Sequence, residues 1–219
     1  MKAVKNYDVI IIGAGPAGIF TALELADKGY TILMVEKGQD IRDRIATSVN
    51  PQALAKDKVR NVVCGWGGAG AFSDGKLTLT TEFGGNLDDY MSQAELAEKI
   101  KYVDSVYCRF GGADRKVYGD ENPEEIRRIQ RRAAAADLRF IPARIRHLGT
   151  DVNAQILTNM RDFLDGKADI LSDTAVEHIV VEDGAIRGVI IGGQLYGCQY
   201  LVAAPGREGS EWFVREVEQ

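Results

Sequence analysis

The stretch YDVIIIGAGPAGIFTALELADKGYTILMVE, residues 7–36, decides the fold of this chain. Residues 7–12 are a short apolar run that leads directly into glycines, which is typical of a buried parallel strand. Residues 16–28 predict a helix, because apolar residues recur on one face and a glycine follows as a stop signal. Residues 31–36 predict a second parallel strand. Together these pieces form a βαβ unit, whose crossover we expect to be right-handed.

The turn between the first strand and the helix carries the motif G-x-G-x-x-G. The first glycine permits the tight turn, the second lets the backbone approach a pyrophosphate, and the third lets the helix pack on the strand. The helix N-terminus supplies free N–H groups for phosphates. The alternative is a glycine turn that merely joins strand to helix, but the whole context matches a dinucleotide site. The turn therefore predicts these cofactor-binding residues: Gly13, Gly15, Pro16, Ala17 and Gly18.

Glu36 ends the second strand, where its carboxylate can accept hydrogen bonds from ribose hydroxyls. An acidic residue there argues against a 2′-phosphate, which would require an arginine. Three downstream features favour FAD over NAD: a glycine-rich loop at 65–75, a meander at 175–204 in place of a crossover helix, and the turn at 203–206. The predicted cofactor is FAD and not FMN, because the recognised features, the G-x-G-x-x-G turn and Glu36 included, are suited to the ADP half. An NAD-dependent dehydrogenase is the alternative.

The whole chain predicts an α/β fold, a Rossmann-like FAD-binding domain with a parallel sheet, a β-meander crossover and a helical insertion. We expect the FAD-binding domain to be discontinuous, comprising residues 1–82 and 150–219. The helical insertion then takes residues 83–149.

Two helices are predicted inside the insertion. Ser92 and Glu95 form a capping box for a helix that runs to about Arg109. Asn122, followed by a proline, begins another helix that ends near Asp137.

The region after the insertion changes from helical to strand-like periodicity. A third helix at 152–164 leads into a short strand at 169–171. Residues 176–182, 185–191 and 195–204 then predict a three-stranded meander, because glycine-containing turns separate runs of β-branched residues.

Composition narrows the class of protein. Of the 219 residues 45% are apolar, and the net charge is −5, with no basic face of the kind that nucleic acid requires. The longest apolar runs are strand-sized, so neither a membrane span nor a signal peptide is predicted and a cytoplasmic location follows. The three cysteines are far apart and odd in number, which indicates neither a disulfide framework nor a metal site.

Several motifs together resemble known flavoproteins. Residues 7–38 are similar to the FAD-binding start of the glutathione-reductase/p-hydroxybenzoate-hydroxylase superfamily. GWGGAGAFSDGKLTL (65–79), FIPARIRHLGTD (140–151) and YLVAAPGREGSEW (200–212) resemble, more narrowly, the FAD-dependent or NAD(FAD)-utilising dehydrogenases. The resemblance covers nearly the whole chain and implies an FAD-dependent oxidoreductase whose substrate is unknown.

The resemblance also implies further cofactor contacts. Arg44 would approach the ribose or pyrophosphate, although it could instead be a solvated helix residue. Val176 would meet the adenine through its backbone, although it is a core strand residue on either interpretation. The remaining implied contacts are Lys37, the loop residues Gly67, Gly68, Ala69, Gly70, Ser73 and Lys76, and, near the diphosphate, Ala204 and Gly206.

The chain departs from this family pattern at its end. Members of the superfamily return to the FAD domain with a Gly-Asp strand–helix unit, and none precedes Gln219. The sequence therefore resembles the N-terminal half of a larger protein. We expect the 219-residue chain alone to bind FAD weakly, and a truncated, non-catalytic flavin-binding fragment is the second alternative.

The candidate catalytic residues are cations that could stabilise a reduced flavin, and a histidine that titrates near neutral pH: Lys76, Arg146 and His147. A solvated basic turn is the alternative for the cluster of residues 144–147. His178 and Cys64 are expected to be structural. No second G-x-G-x-x-G is present, so NAD(P)H would bind transiently, beside a small-molecule substrate.

Overall fold

The computed structural model describes residues 4–50, 52, 62–119 and 121–218, which fall into two units. The first unit comprises Met1–Phe72 and Leu157–Gln219, and the second comprises Ser73–Ile156. In chain order the main elements are β1 (Lys5–Ile12), α1 (Pro16–Leu25), β2 (Ile32–Val35), α2 (Ile41–Ser48), β3 (Lys76–Thr78), α3 (Gln93–Tyr107), β4 (Val117–Tyr118), α4 (Pro123–Ala134), β5 (Ile145–His147), α5 (Thr150–Leu164), β6 (Asp169–Leu171), β7 (His178–Glu182), β8 (Ala185–Ile191), β9 (Gln194–Ala203) and α6 (Ser210–Val217).

The predicted βαβ start forms as β1, α1 and β2. The two strands run parallel, with Val9 opposite Ile32 and Ile12 opposite Val35. All four residues of β2 and the last four of β1 are buried, as the unbroken apolar runs predicted. The helix ends at residue 25, three residues earlier than expected. The chain turns there toward Gly29, whose φ is 80°.

The first unit is built on a six-stranded sheet in the order β6-β2-β1-β9-β8-β7. Strands β6, β2, β1 and β9 are parallel, whereas β7, β8 and β9 form the antiparallel meander. The meander therefore brings the chain back beside β1 without a crossover helix. This arrangement confirms the predicted fold class.

Two tight turns set the register of the meander. Asp183 and Gly184 both have positive φ, at 53° and 74°, and so do Gly192 and Gly193, at 56° and 69°. Two successive residues of positive φ match the twist of antiparallel strands, and glycine or aspartate adopts that conformation at low cost.

The sheet is covered on both faces, as expected for parallel strands. One face carries a core cluster from three strands, comprising Ile10, Ile12, Leu33, Val35, Val189 and Ile191. On the other face, Ile19 and Ala22 of α1 are buried with Ile11 and Met34. Burying whole apolar side chains in this way contributes about 1.5–3 kcal/mol each, and it fixes the strand ends that carry the site.

The second unit contains both predicted helices of the insertion. At α3 the capping box forms, since Ser92 accepts from the Glu95 N–H and Glu95 accepts from the Ser92 N–H. At α4, Asn122 caps the first turn through the Glu125 N–H.

Three short strands, β3, β4 and β5, were not predicted in this unit. They form a second sheet in the order β3-β5-β4. Each has only two or three residues, too few for a period-two pattern to show. Residues 145–147 form a strand and not a turn, because Ile145–His147 pairs with both neighbouring strands, whereas Arg144 and His147 are exposed.

Candidate cofactor-binding site

A cavity of about 500 Å3 lies in the first unit, where β1, β2 and β9 end. Gly13 follows β1, Glu36 follows β2 and Ala204 follows β9, and all three line the cavity. Ligands of open parallel sheets bind beyond the carboxyl ends of the strands, at the point where the connections diverge to opposite sides. The volume lies within the usual range for small-molecule sites, about 300–1,000 Å3.

Most of the predicted cofactor-binding residues surround this cavity. Those that line it are Gly13, Gly15, Pro16, Glu36, Lys37, Gly68, Ala69, Gly70, Val176, Ala204 and Gly206. Ala17, Gly18, Arg44 and Gly67 belong to the same unit but are not among the lining residues. Ser73 and Lys76 belong to the second unit.

The three glycines of the motif differ in their surroundings. A Cβ on Gly13 would lie 2.2 Å from the Ala204 carbonyl oxygen, and one on Gly18 would lie 1.9 Å from the Gly13 carbonyl oxygen. A Cβ on Gly15 would meet nothing within 4 Å, and the φ of Gly15 is an ordinary −75°. Gly13 and Gly18 are therefore required by the packing of the protein itself, whereas Gly15 borders open space.

The N-terminus of α1 is left open toward a ligand. No side chain caps its first turn, and that turn contains no acidic residue. The partial positive charge of the helix end is thus not offset by a local carboxylate, which suits a phosphate.

The second glycine loop lies directly against the first. The Gly67 N–H donates to the Ala14 carbonyl at 2.8 Å, and a Cβ on Gly68 would lie 3.4 Å from the Gly15 Cα. The backbone of the two loops thus forms one continuous wall of the cavity.

The buried Glu36 carboxylate joins three backbone segments. Its Oε2 accepts from the Ala14 N–H at 2.8 Å. Its Oε1 accepts from the N–H groups of Gly38 at 2.8 Å and Gly65 at 2.9 Å. A carboxylate has about four acceptor positions, and three of them are filled by the protein. Among the residues that the structure describes, no other donor reaches Oε2, which leaves one position there for a ligand hydroxyl.

Arg44 is hydrogen-bonded to the backbone of the second glycine loop. Its side chain is 1% exposed, and its guanidinium donates to the carbonyls of Trp66 at 2.6 Å, Gly68 at 3.0 Å and Val62 at 3.0 Å. It also stacks 5.1 Å from the centre of the Phe72 ring. Burial lowers the pKa of Arg44, and the Glu36 charge opposes that effect. The alternative of a solvated helix residue was therefore wrong.

Several lining residues were not predicted from the sequence. Trp212 of α6 lines the cavity, and its indole N–H donates to the Glu177 carbonyl at 3.1 Å. Arg207 and Glu208 also line it, and Glu208 forms an ion pair with Lys37. Their only sequence signal was their place in the family-like motif at 200–212.

Cys64 and His178 occupy structural positions. Cys64 lines the cavity but is only 7% exposed, consistent with a small buried apolar group. His178 Nδ1 lies 3.2 Å from Oε1 of Glu216, whose Oε2 accepts from the Ile179 N–H, and Glu216 so ties α6 to β7.

The three candidate catalytic residues belong to the small sheet of the second unit. Lys76 and His147 are cross-strand partners, and Lys76 Nζ pairs with Asp74 at 2.6 Å. Arg146 donates from Nε and Nη2 to both Asp104 oxygens, at 2.6 and 2.8 Å. A direct electrostatic role toward a flavin stays a prediction for all three.

Comparisons with known proteins show similarity over part of the chain to one family. Residues 8–60 match the model of the FAD dependent oxidoreductase family. An uncharacterized protein of Clostridium beijerinckii is 30% identical over 209 residues, which are 93% of this chain and 32% of that protein. A digeranylgeranylglycerophospholipid reductase of Methanosarcina mazei is 49% identical over 53 residues, 23% of this chain and 13% of the reductase.

Solved structures share the fold at low sequence identity. Glycine oxidase from Geobacillus kaustophilus has a TM-score of 0.56 and 15% identity, over 98% of this chain and 59% of that one. Glycine oxidase from Bacillus cereus has a TM-score of 0.51 and 16% identity, over 94% and 56%.

The chain is thus similar over residues 8–60 to the FAD dependent oxidoreductase family, and it shares its fold with the glycine oxidases. FAD, the predicted cofactor, is the cofactor of that class. The chain spans about a third of the length of the Clostridium relative.

Two kinds of feature are absent from the part of the chain that the structure describes. Among the described residues, no helix is long and apolar enough to cross a membrane. Within the same ranges, no group of three or more His, Cys, Asp or Glu side chains could hold a metal ion.

The glycine geometry yields a matched pair of variants. Gly15→Ala should leave the stability close to wild type and weaken FAD binding, because the new methyl group occupies only ligand space. Gly18→Ala should lower the free energy of unfolding by at least about 1–3 kcal/mol, the cost of overpacking. Urea unfolding and equilibrium dialysis with FAD measure the two effects. Unchanged FAD affinity in Gly15→Ala would show that the pyrophosphate does not approach this turn.

Arg44→Met keeps most of the side-chain volume but removes the three bonds to the loop. We expect the free energy of unfolding to fall by at least about 1–3 kcal/mol, because buried carbonyls are left unsatisfied. The control is Arg42→Met on the same helix, where the side chain is 61% exposed and pairs with Asp162. The free energy of unfolding of this control should lie within about 0.5 kcal/mol of the wild-type value. Equal stability of the two variants, by urea unfolding, would contradict the bracing role of Arg44.

Proposed function

We propose that the cavity of the first unit binds the ADP half of FAD, and that the chain serves a flavin-dependent dehydrogenase. The observation that carries this proposal is the convergence of two glycine loops and three strand ends on one cavity. In this arrangement Gly15 and the first turn of α1 face the diphosphate. The free acceptor position of Glu36 Oε2 takes one ribose hydroxyl.

The remaining lining residues complete the cofactor site. The second loop, Gly68–Gly70, extends the wall along the diphosphate toward the flavin, and Gly206 closes the opposite side. Val176 meets the adenine through its backbone. Arg44 acts indirectly, by holding the carbonyls of the second loop in place so that its N–H groups remain available.

Bound flavin supplies hydride chemistry, and the protein supplies orientation and electrostatics. The substrate is a small molecule, and NAD(P)H is a transient electron partner. Lys76, Arg146 and His147 are the candidates for groups near the reacting atoms, with Lys76 paired to Asp74 and Arg146 to Asp104. The sequence composition supports a cytoplasmic location and no nucleic-acid partner.

Ligand competition tests this proposal. Equilibrium dialysis of the purified chain should show binding of FAD in preference to FMN, with ADP displacing FAD, because the lining residues address the ADP half. The control variant is Glu24→Gln, on the exposed side of α1, which should bind FAD as the wild type does.

Three outcomes would contradict the proposal or favour an alternative. Tighter binding of NAD than of FAD would favour an NAD-dependent dehydrogenase. Binding of FMN without competition from ADP would move the flavin site away from this cavity. A bound flavin that keeps its visible absorption under anaerobic NADH, NADPH and a panel of small organic substrates would favour a non-catalytic flavin-binding module.

A further inference from the structure

A second cavity, of about 670 Å3, lies wholly within the second unit. It is bounded by the segment after β3, by one side of α3 and by Arg144, which precedes β5. The Leu79 N–H donates to the Arg144 carbonyl at 2.7 Å, which holds two of these segments side by side. None of the predicted cofactor-binding residues lines it.

One part of this cavity is apolar. Leu79, Ala97 and Ile100 line it and are half-buried. Such a surface is suited to the hydrocarbon part of a ligand, as in most small-molecule sites.

The carboxylate in the lining is already neutralised. Asp104 is engaged at both oxygens by Arg146, and the two side chains are only 18% and 12% exposed. The hydrogen bond with Asp104 raises the pKa of Arg146, so the guanidinium stays charged. Burial, and then the Asp104 charge, raise the pKa of the Cys108 thiol, which therefore lines the cavity as a neutral group.

The remaining polar groups of the lining are mostly hydrogen-bond donors. Lys101 and Arg144 are the cations, and Thr80 and Thr81 add hydroxyl groups. Lys101 pairs with Glu98, but both side chains are 71% exposed, so that pair is weak and easily exchanged for a ligand. A donor-rich rim beside an apolar surface is complementary to an anion that carries a hydrocarbon body.

We propose that this cavity binds a small organic monocarboxylate, with its charge held by Arg144 and Lys101 and its apolar body against Leu79, Ala97 and Ile100. The proposal goes beyond cofactor binding and does not depend on it, because every residue it uses lies in the second unit.

The test uses 4-methylpentanoate as the probe, with its uncharged amide and inorganic phosphate as comparisons. Ligand-observed NMR on the purified chain should show that the acid binds, and that the amide and phosphate bind at least about 10-fold more weakly, because each lacks one of the two features. Arg144→Gln and Lys101→Gln should each weaken binding of the acid by about 2- to 5-fold, the range for exposed ion pairs. Arg127→Gln, an exposed arginine of α4 outside the lining, is the matched control.

Ala97→Phe provides a variant that fills the apolar side without touching a charge. It should abolish binding of the acid while the circular dichroism of the helices is retained. Equal binding of acid and amide, equal binding of phosphate, wild-type affinity in both cation variants, or no binding up to the solubility limit of the acid would each overturn the proposal.

Discussion

The buried Glu36 carboxylate is the interaction on which the site depends. It lies at the end of β2 and accepts from the N–H groups of Ala14, Gly38 and Gly65, which belong to three separate segments. Hydrogen bonds from neutral N–H groups to an ionised carboxylate are among the stronger ones in proteins, and a buried carboxylate without them would be very costly. One side chain thus fixes both glycine loops relative to the sheet before any ligand arrives.

Arg44 complements this anchor by binding carbonyl groups. Glu36 accepts hydrogen bonds from N–H groups, whereas Arg44 donates to the carbonyls of Val62, Trp66 and Gly68. Between them the backbone of the second loop is held by charged groups at both its donors and its acceptors. A wall prepared in this way loses little conformational entropy when a dinucleotide binds, which is the physical basis of preorganisation.

The sequence predicted the parts of the site that depend on local pattern. The spacing of Gly13, Gly15 and Gly18 after an apolar run placed the cavity, and the acidic end of β2 identified Glu36. The sequence could not show that most acceptor positions of the Glu36 carboxylate are filled by backbone N–H groups, because the Gly65 donor lies 29 residues away in the chain. Arg44 was named only through the family resemblance, and its burial depends on how α2 meets the loop. The strand at Ile145–His147 was missed because its partners are distant and its length gives no periodicity.

The most direct test of the account is the stability of Glu36→Gln. An amide presents one oxygen, so at least one of the three N–H donors would face an NH2 group. Both tryptophans lie in the first unit, and their fluorescence follows its unfolding in urea. The account predicts that the free energy of unfolding falls by about 1–3 kcal/mol and that FAD affinity falls with it. Wild-type stability together with lost FAD binding would show that Glu36 is only a ligand group and that the loops are fixed by other interactions.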